Sequence, residues 1–368
     1  MVIQLFGKSV SAKRSEAKRM NLLGNDELGR VMRSEIAEIP EVLTRLNANS
    51  SQFEGIKNLF EINKFHSVLI LARGTSDNAA HFLKYLIETQ LGLPVGLTSP
   101  SSVTIYHSQL HFSNTLLVAI SQSGQSIDLV EYARSAKASG AKLISITNDS
   151  DSPLAQIADH HISLLAEREV AVAATKSYAA QLFASLILVE VWGKTFNDKQ
   201  TIIDECKKLL SANTSIKHAV DLCQRSQEIV ILGRGFSYPN AREMALKIQE
   251  TSKVSVQGLS IADYMHGPIS ALTNKTQVFI VVPHGMPLLP LKNEVERIRS
   301  SGAQIYWVGS GASALENEVV LAGASCENEI YSSIADAIVL QSFALEFALK
   351  NDLNPDHPEG LNKVTLTR

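Results

Sequence analysis

Three groups of residues have the types and spacing to do chemistry. The first is Ile120-Ser121-Gln122-Ser123-Gly124-Gln125-Ser126, set between the apolar run Thr115-Leu116-Leu117-Val118-Ala119 and a helical pattern over 127–138. A buried strand that ends in small hydroxyl residues and turns into a helix directs hydroxyls and free backbone N–H groups at one spot, backed by the helix's positive end. Such a turn can hold a phosphate; the plainer reading of the same residues is a strand-to-helix turn with a serine N-cap. The loop has no Lys or Arg and lacks the lysine of a nucleotide-binding P-loop, so the ligand it suits is one phosphate group held by neutral donors.

The second group is Glu243, Lys247 and Glu250, spaced i, i+4, i+7. They fall on the face of a helix opposite the apolar stripe Ala241, Met244, Ala245 and Ile248. The row supplies an acid, a base and an ammonium partner for proton transfer, although the same spacing decorates many solvated helix faces. Asn240 followed by Glu243 reads as a capping box that opens this helix after Pro239. The third group is His266 in Tyr264-Met265-His266-Gly267-Pro268, a turn in which a near-neutral imidazole could move protons or simply face solvent. His107, His111, His160, His161 and His284 have no metal-binding spacing, and Cys206, Cys223 and Cys326 are few, odd in number and far apart. No metal, no cofactor and no disulfide framework are expected, and the cysteine usage fits a reducing, cytoplasmic setting.

The elements that must position these groups are legible as alternation. Near-continuous apolar runs at 67–72, 115–120, 142–147 and 161–165 alternate with helical patterns at 77–91, 126–139 and 177–192, as in a parallel sheet covered on both faces. The order recurs after a helical bridge over 201–225, with strands at 228–232, 277–282 and 304–308. Ser300-Ser301-Gly302-Ala303-Gln304-Ile305 repeats the pattern of Ala138-Ser139-Gly140-Ala141-Lys142-Leu143. The expected fold is therefore α/β, with two tandem doubly wound parallel-sheet domains related by internal duplication. In the second copy Pro283-His284-Gly285 replaces the hydroxyl array, so only the first copy is expected to hold phosphate. The divisions read as an extension and helix over 1–45, with its helix at 27–46, then domains over 46–200 and 201–350 and a tail over 351–368.

With 45% apolar and 19% charged residues among 368 and a net charge of −3, the composition is that of a globular protein with no basic footprint for nucleic acid. The basic residues before Met20 read as a floppy extension, and no membrane span is expected, the longest apolar helix being that at 178–192.

In order along the chain, Met32-Arg33-Ser34-Glu35-Ile36, Gly74-Thr75-Ser76, Ser121-Gln122-Ser123-Gly124, Glu169 through Ala174-Thr175-Lys176, Leu232-Gly233-Arg234-Gly235, Ala245-Leu246-Lys247 through Glu250, His266-Gly267-Pro268 and Leu361-Asn362-Lys363-Val364-Thr365 resemble the sugar isomerase (SIS) family, and within it the isomerase half of glucosamine-6-phosphate synthases. The resemblance implies that Ser76, Ser121, Gln122, Ser123 and Ser126 bind a sugar phosphate and that Val172 and Ala174 line the sugar pocket. It further implies that Glu250 shuttles a proton between C1 and C2 with Lys247 and Glu243 as companions. His266 would assist ring opening from a neighbouring subunit, and Lys363 would form a Schiff base with an open-chain ketose phosphate. For that role Lys363 is expected to be partly desolvated or near another cation.

The chain departs from the synthase pattern at Arg73, where the synthase has a small thiol, and over 253–259. It begins Met1-Val2 with no glutaminase segment, so the expected reaction is deamination of glucosamine 6-phosphate to fructose 6-phosphate and ammonia. The alternatives are a galactosamine-phosphate deaminase, a deglycase, an aldose-ketose isomerase or a non-catalytic sugar-phosphate sensor. The expected partners are a small phosphosugar and a second copy of the chain. The homodimer follows from the shared histidine and from the apolar helix over 179–192, which has too little polar surface to face solvent.

Overall fold

A computed structural model of the chain describes residues 28–59, 65–211, 214–225, 228–285 and 291–363. The basic extension before Met20 and the tail residues Val364 and Thr365 lie outside the described residues.

The Val/Ile/Leu runs form strands because both faces of each are covered. β1 (Ser67–Leu71), β2 (Val95–Leu97), β3 (Thr115–Ile120), β4 (Lys142–Thr147) and β5 (His160–Ser163) make one sheet. β6 (Glu228–Gly233), β7 (Val256–Ser260), β8 (Thr276–Val281), β9 (Gln304–Val308) and β10 (Val319–Leu321) make the other. The orders are β2-β1-β3-β4-β5 and, from the corresponding edge, β7-β6-β8-β9-β10. Every pairing is parallel. The two halves thus share one topology, as the repeated wording of the sequence implies. In each, the order reverses between the first and third strands, which opens a crevice at their carboxyl ends. Three strands went unread in the sequence: β2, β7 and β10 are edge strands, two of them three residues long, with only one or two buried positions each and thus no continuous apolar run.

Side chains alternate between two faces along each strand. Val68, Ile70, Leu116 and Val118 face a central core that also takes Ile229, Ile231, Phe279 and Tyr306 from the second sheet. Leu69, Leu71, Leu117 and Ala119 face an outer cluster under the helix Ile127–Ala138, and Val230, Leu232, Val278 and Ile280 face the matching cluster of the second half. Helices between the two sheets therefore share one core, and four of them carry or support the site: Thr75–Leu91, Lys176–Val191, Tyr238–Ser252 and Glu329–Lys350.

Several expectations are corrected here. The apolar helix expected to form a dimer face is buried within the chain: Lys176–Val191 packs on Thr75–Leu91, Ile39–Ala48 and Glu329–Lys350, and every residue from Lys176 to Val189 is buried. Its lack of a polar face reflects that central position, and it gives no support to a homodimer. Glu329–Lys350, at 22 residues, is longer still and apolar enough to cross a membrane by composition, yet it too is a core helix, 83% buried over its most apolar window. The helix expected over 27–46 is two, Arg30–Ala37 and Ile39–Ala48, because Pro40 in the first turn of the second cannot continue the first. The bridge over 201–225 is likewise two helices, Gln200–Ser211 and Thr214–Leu222.

Candidate active site

The loop Ser121 to Ser126 lies at the crevice between β1 and β3. The loop after β3 is folded on itself: Gly124 N–H donates to Ser121 Oγ at 3.0 Å, and Gln125 N–H to Ser123 Oγ at 3.3 Å. Ser126 is the extended cap residue of Ile127–Ala138, but its side chain makes no capping bond. Its hydroxyl and the N–H groups of Ile127 and Asp128 can thus turn to a ligand, while Leu129 N–H is taken by Asp128 Oδ1. Across the crevice, Thr75–Leu91 starts directly at the end of β1, so a second helix N-terminus meets the first. Ser76 is held there by Gln181 Nε2, which donates to its Oγ at 2.9 Å.

The loop depends on Gly124. Its φ is +64°, and an added Cβ would sit 2.2 Å from Ser152 Oγ and 2.6 Å from Ser152 Cβ. Ser152 cannot yield easily, because it is buried and caps the helix Pro153–Ile157. Gly124→Ala combines left-handed strain of about 1–2 kcal/mol with that collision. We expect it to weaken binding of a sugar phosphate about tenfold or more, read by isothermal calorimetry with fructose 6-phosphate. Unchanged affinity would show that the loop does not hold the ligand.

The acid and base row is on Tyr238–Ser252, and its environment differs from the sequence reading. The capping box is absent: the helix begins at Tyr238 with Pro239 in its first turn, as proline prefers. Asn240 is instead a buried link, accepting from Tyr178 Oη at 2.9 Å and donating to Ser333 O at 2.7 Å. The face opposite the apolar stripe is not solvated. Glu243 and Lys247 are fully buried and the Glu250 side chain is 24% exposed, because Thr75–Leu91 packs across them. Glu243 accepts from Asn78 Nδ2 at 2.8 Å and from Thr75 Oγ1 at 3.3 Å. Lys247 Nζ lies 2.5 Å from Glu250 Oε2 and 3.6 Å from Glu243 Oε1. Burial pushes the Glu243 carboxyl up to about 7 against the pull of Lys247 and Asn78. Burial also works against the Lys247 ammonium, but the two carboxylates outweigh it and hold its pKa above the usual lysine value. Lys247 is thus a fixed buried charge whose outer partner, Glu250, reaches the cleft.

The third wall is the segment after β5 together with the tail. Lys363 Nζ donates to Glu169 Oε2 at 2.8 Å and to Ala171 O at 2.7 Å. Glu169 is buried and also accepts from Thr175 N, Ser177 N and Ser177 Oγ. Burial alone would raise its carboxyl; the Lys363 ammonium and those N–H groups hold it below the usual carboxylate range. Of the two expected conditions Lys363 has the first, being partly desolvated with its side chain 22% exposed; its charged neighbour is the Glu169 carboxylate. Below this wall Glu35 Oε1 accepts from Val170 N–H, and its Oε2 is buried without a partner.

These walls enclose one cleft of about 360 Å³. Ser76, Ser121, Gln122, Ser123, Ser126, Val172, Ala174, Glu250 and Lys363 all line it. Lys247 and Glu243 stand behind Glu250 and do not reach it. His266 is outside: it is exposed, just past the short helix Ile261–Met265, and does not line the cleft of its own chain. Arg73, Thr75 and Asn362 also line the cleft but were given no role in the sequence reading. Arg73 and Thr75 flank the Gly74 turn at the end of β1, a position that the strand-end rule could have flagged. Glu169, which holds Lys363 from 194 residues away in sequence, was part of a quoted motif but had no role there.

The model of the SIS domain matches residues 61–191 and again 222–350. Among curated proteins, the isomerising glutamine–fructose-6-phosphate aminotransferase of Methanothermobacter thermautotrophicus is 30% identical over an alignment of 308 residues that covers 82% of this chain and 52% of the relative. The chain spans about half the length of the curated relatives it matches. Among solved structures, the C-terminal domain of glucosamine-fructose-6-phosphate aminotransferase from Francisella tularensis has a TM-score of 0.77 at 23% identity, covering 91% of this chain and 100% of that one. The glucosamine-6-phosphate deaminase of Thermotoga maritima has a TM-score of 0.69 at 21% identity, covering 89% and 99%. At these identities the structural likeness is one of fold. Because the family match falls once on each of two sheets with the same strand order, the chain belongs to the SIS domain family and carries that domain twice.

Proposed function

We propose that this chain is an isomerising glucosamine-6-phosphate deaminase that yields fructose 6-phosphate and ammonia. The observation that supports this most is the convergence of a hydroxyl-rich loop, a carboxylate and a lysine amine in one cleft, lined by Ser121, Ser123, Ser126, Glu250 and Lys363 together. The loop anchors the 6-phosphate. Glu250, as carboxylate, removes the C2 proton of the open-chain aminosugar and returns a proton to C1, leaving an imine at C2. Water then adds to C2 and ammonia leaves, which gives the ketose. The buried Lys247 ammonium fixes Glu250 and stabilises its charge before the transfer. Lys363, as ammonium, gives a proton to the C1 oxygen and recovers one from the C2 nitrogen, so that the aminoaldehyde becomes a C1 hydroxyl and a C2 imine with no net change in protons. His266 would act only from a second copy, so a homodimer is part of the proposal.

A second reading is favoured by one contact. Lys363 is engaged by Glu169, and an aldose-ketose isomerase needs the proton shuttle without a free amine. The test is a panel of glucosamine 6-phosphate, galactosamine 6-phosphate and unaminated hexose 6-phosphates, with ammonia and ketose detected, on protein whose sedimentation is recorded. Ammonia and fructose 6-phosphate in equal amounts from glucosamine 6-phosphate are expected. Ketose formation from an unaminated sugar alone would establish the second reading, and full activity in a monomer would remove His266 from the mechanism.

A further inference from the structure

The phosphate loop is built from neutral donors, yet a sugar phosphate brings a charge of about −1.5 to −2 near neutral pH. Two cations line the cleft, Arg73 and Lys363. Lys363 is already matched by buried Glu169 and stands at the wall formed with the tail. Arg73 follows the end of β1, next to the turn that carries Ser76. Its Nε donates to Asp128 Oδ2 at 2.9 Å. Asp128 is in the first turn of Ile127–Ala138, two residues past Ser126, and is almost fully buried, while the Arg73 side chain is 51% exposed. The other Asp128 oxygen accepts from Leu129 N–H. Asp128 therefore anchors one edge of the guanidinium against the helix that starts at the cradle. No hydrogen bond is made by Nη1 or Nη2 of Arg73 among the described residues.

We propose that Arg73, oriented by Asp128, closes the phosphate cradle from the β1 side and makes it selective for a doubly charged phosphate end. This rests on the reading of the cleft as a phosphosugar site, but not on which reaction follows. A planar guanidinium with one edge fixed presents paired N–H donors to phosphate oxygens, and such charge-assisted bonds are stronger than those from hydroxyls. Lysine, a point charge on a flexible stem, would not reproduce the geometry. Arg73 also borders a second polar cleft with Asp77, Thr98 and Arg242, where Arg242 is already paired with Asp77 at 2.9 Å.

The test uses inorganic phosphate and fructose 6-phosphate as calorimetric probes of the whole chain, with turnover measured separately. Relative to the wild-type chain, Arg73→Ala is expected to weaken both ligands about tenfold or more, with Arg73→Lys in between. Asp128→Asn, which frees the guanidinium, is expected to lose less than Arg73→Ala. Between pH 5.5 and 7.5 the wild-type affinity is expected to rise as the ligand takes its second charge, and that rise is expected to flatten in Arg73→Ala; loss of packing alone would not change its slope. If the phosphosugar turns over, KM should carry the effect and kcat should stay within about threefold. Equal affinities for wild type and Arg73→Ala would overturn the proposal and leave Arg73 to the second cleft. Failure of every sugar in the panel, with phosphate binding still dependent on Arg73, would sink the deaminase reading and spare this one.

Discussion

Glu250→Gln is expected to lower turnover of glucosamine 6-phosphate by about 10³-fold while fructose 6-phosphate still binds. Glutamine keeps the shape of the side chain and can still meet Lys247 Nζ through its oxygen, so the 2.5 Å contact is replaced and not emptied. It cannot accept a proton from carbon. The Ser121 to Ser126 loop lies on a different helix and strand, and among the described residues the hydrogen bond of the Glu250 side chain is to Lys247 and not to that loop, so binding should survive. Steady-state turnover with calorimetry on the same preparation separates the two effects. A variant that kept turnover within tenfold of wild type would mean that another group shuttles the proton; one that lost binding as well would place Glu250 in ligand recognition.

Lys247→Met is expected to be among the most destabilising single changes in the described structure, by about 3–5 kcal/mol. The ammonium is fully buried, and its removal leaves Glu243, also fully buried, and Glu250 facing each other without a counter-charge. Glu243 would then hold its proton more strongly still. The check is the midpoint of urea unfolding, followed by both circular dichroism and tryptophan fluorescence. The double variant Glu243→Gln, Lys247→Met removes the stranded charge while keeping the amide within reach of Asn78, and should recover most of the lost midpoint. If the single variant unfolds at the wild-type midpoint, the buried row contributes nothing to stability.

The fold was legible where burial leaves a mark on composition. β1, β3, β4, β6, β8 and β9 are covered on both faces and read as apolar runs, and the repetition after residue 200 identified the duplication. The short edge strands escaped because an edge buries little. The helix Lys176–Val191 was rightly read as having no solvent face, but composition cannot say whether a second copy or the chain itself covers it. The structure shows that the chain does.

The site divides along the same line. Ser121 to Ser126 announced itself because the loop, the strand before it and the helix after it are contiguous, so local sequence alone sets the hydroxyls at a helix N-terminus, as the proposed phosphate site requires. Glu243, Lys247 and Glu250 have a spacing common to solvated and buried helix faces, and only the packing of Thr75–Leu91 across them decided that two are buried and one reaches the cleft. The partners Asn78 for Glu243 and Glu169 for Lys363 lie 165 and 194 residues away along the chain. By itself, the sequence determined the strand runs, the duplication, the hydroxyl-rich loop after β3 and the row of charges. The tertiary structure decided which charges are desolvated, which carboxylate holds the tail lysine and that Arg73 borders the same cleft, because dielectric surroundings and long-range partners exist only once the two sheets share a core.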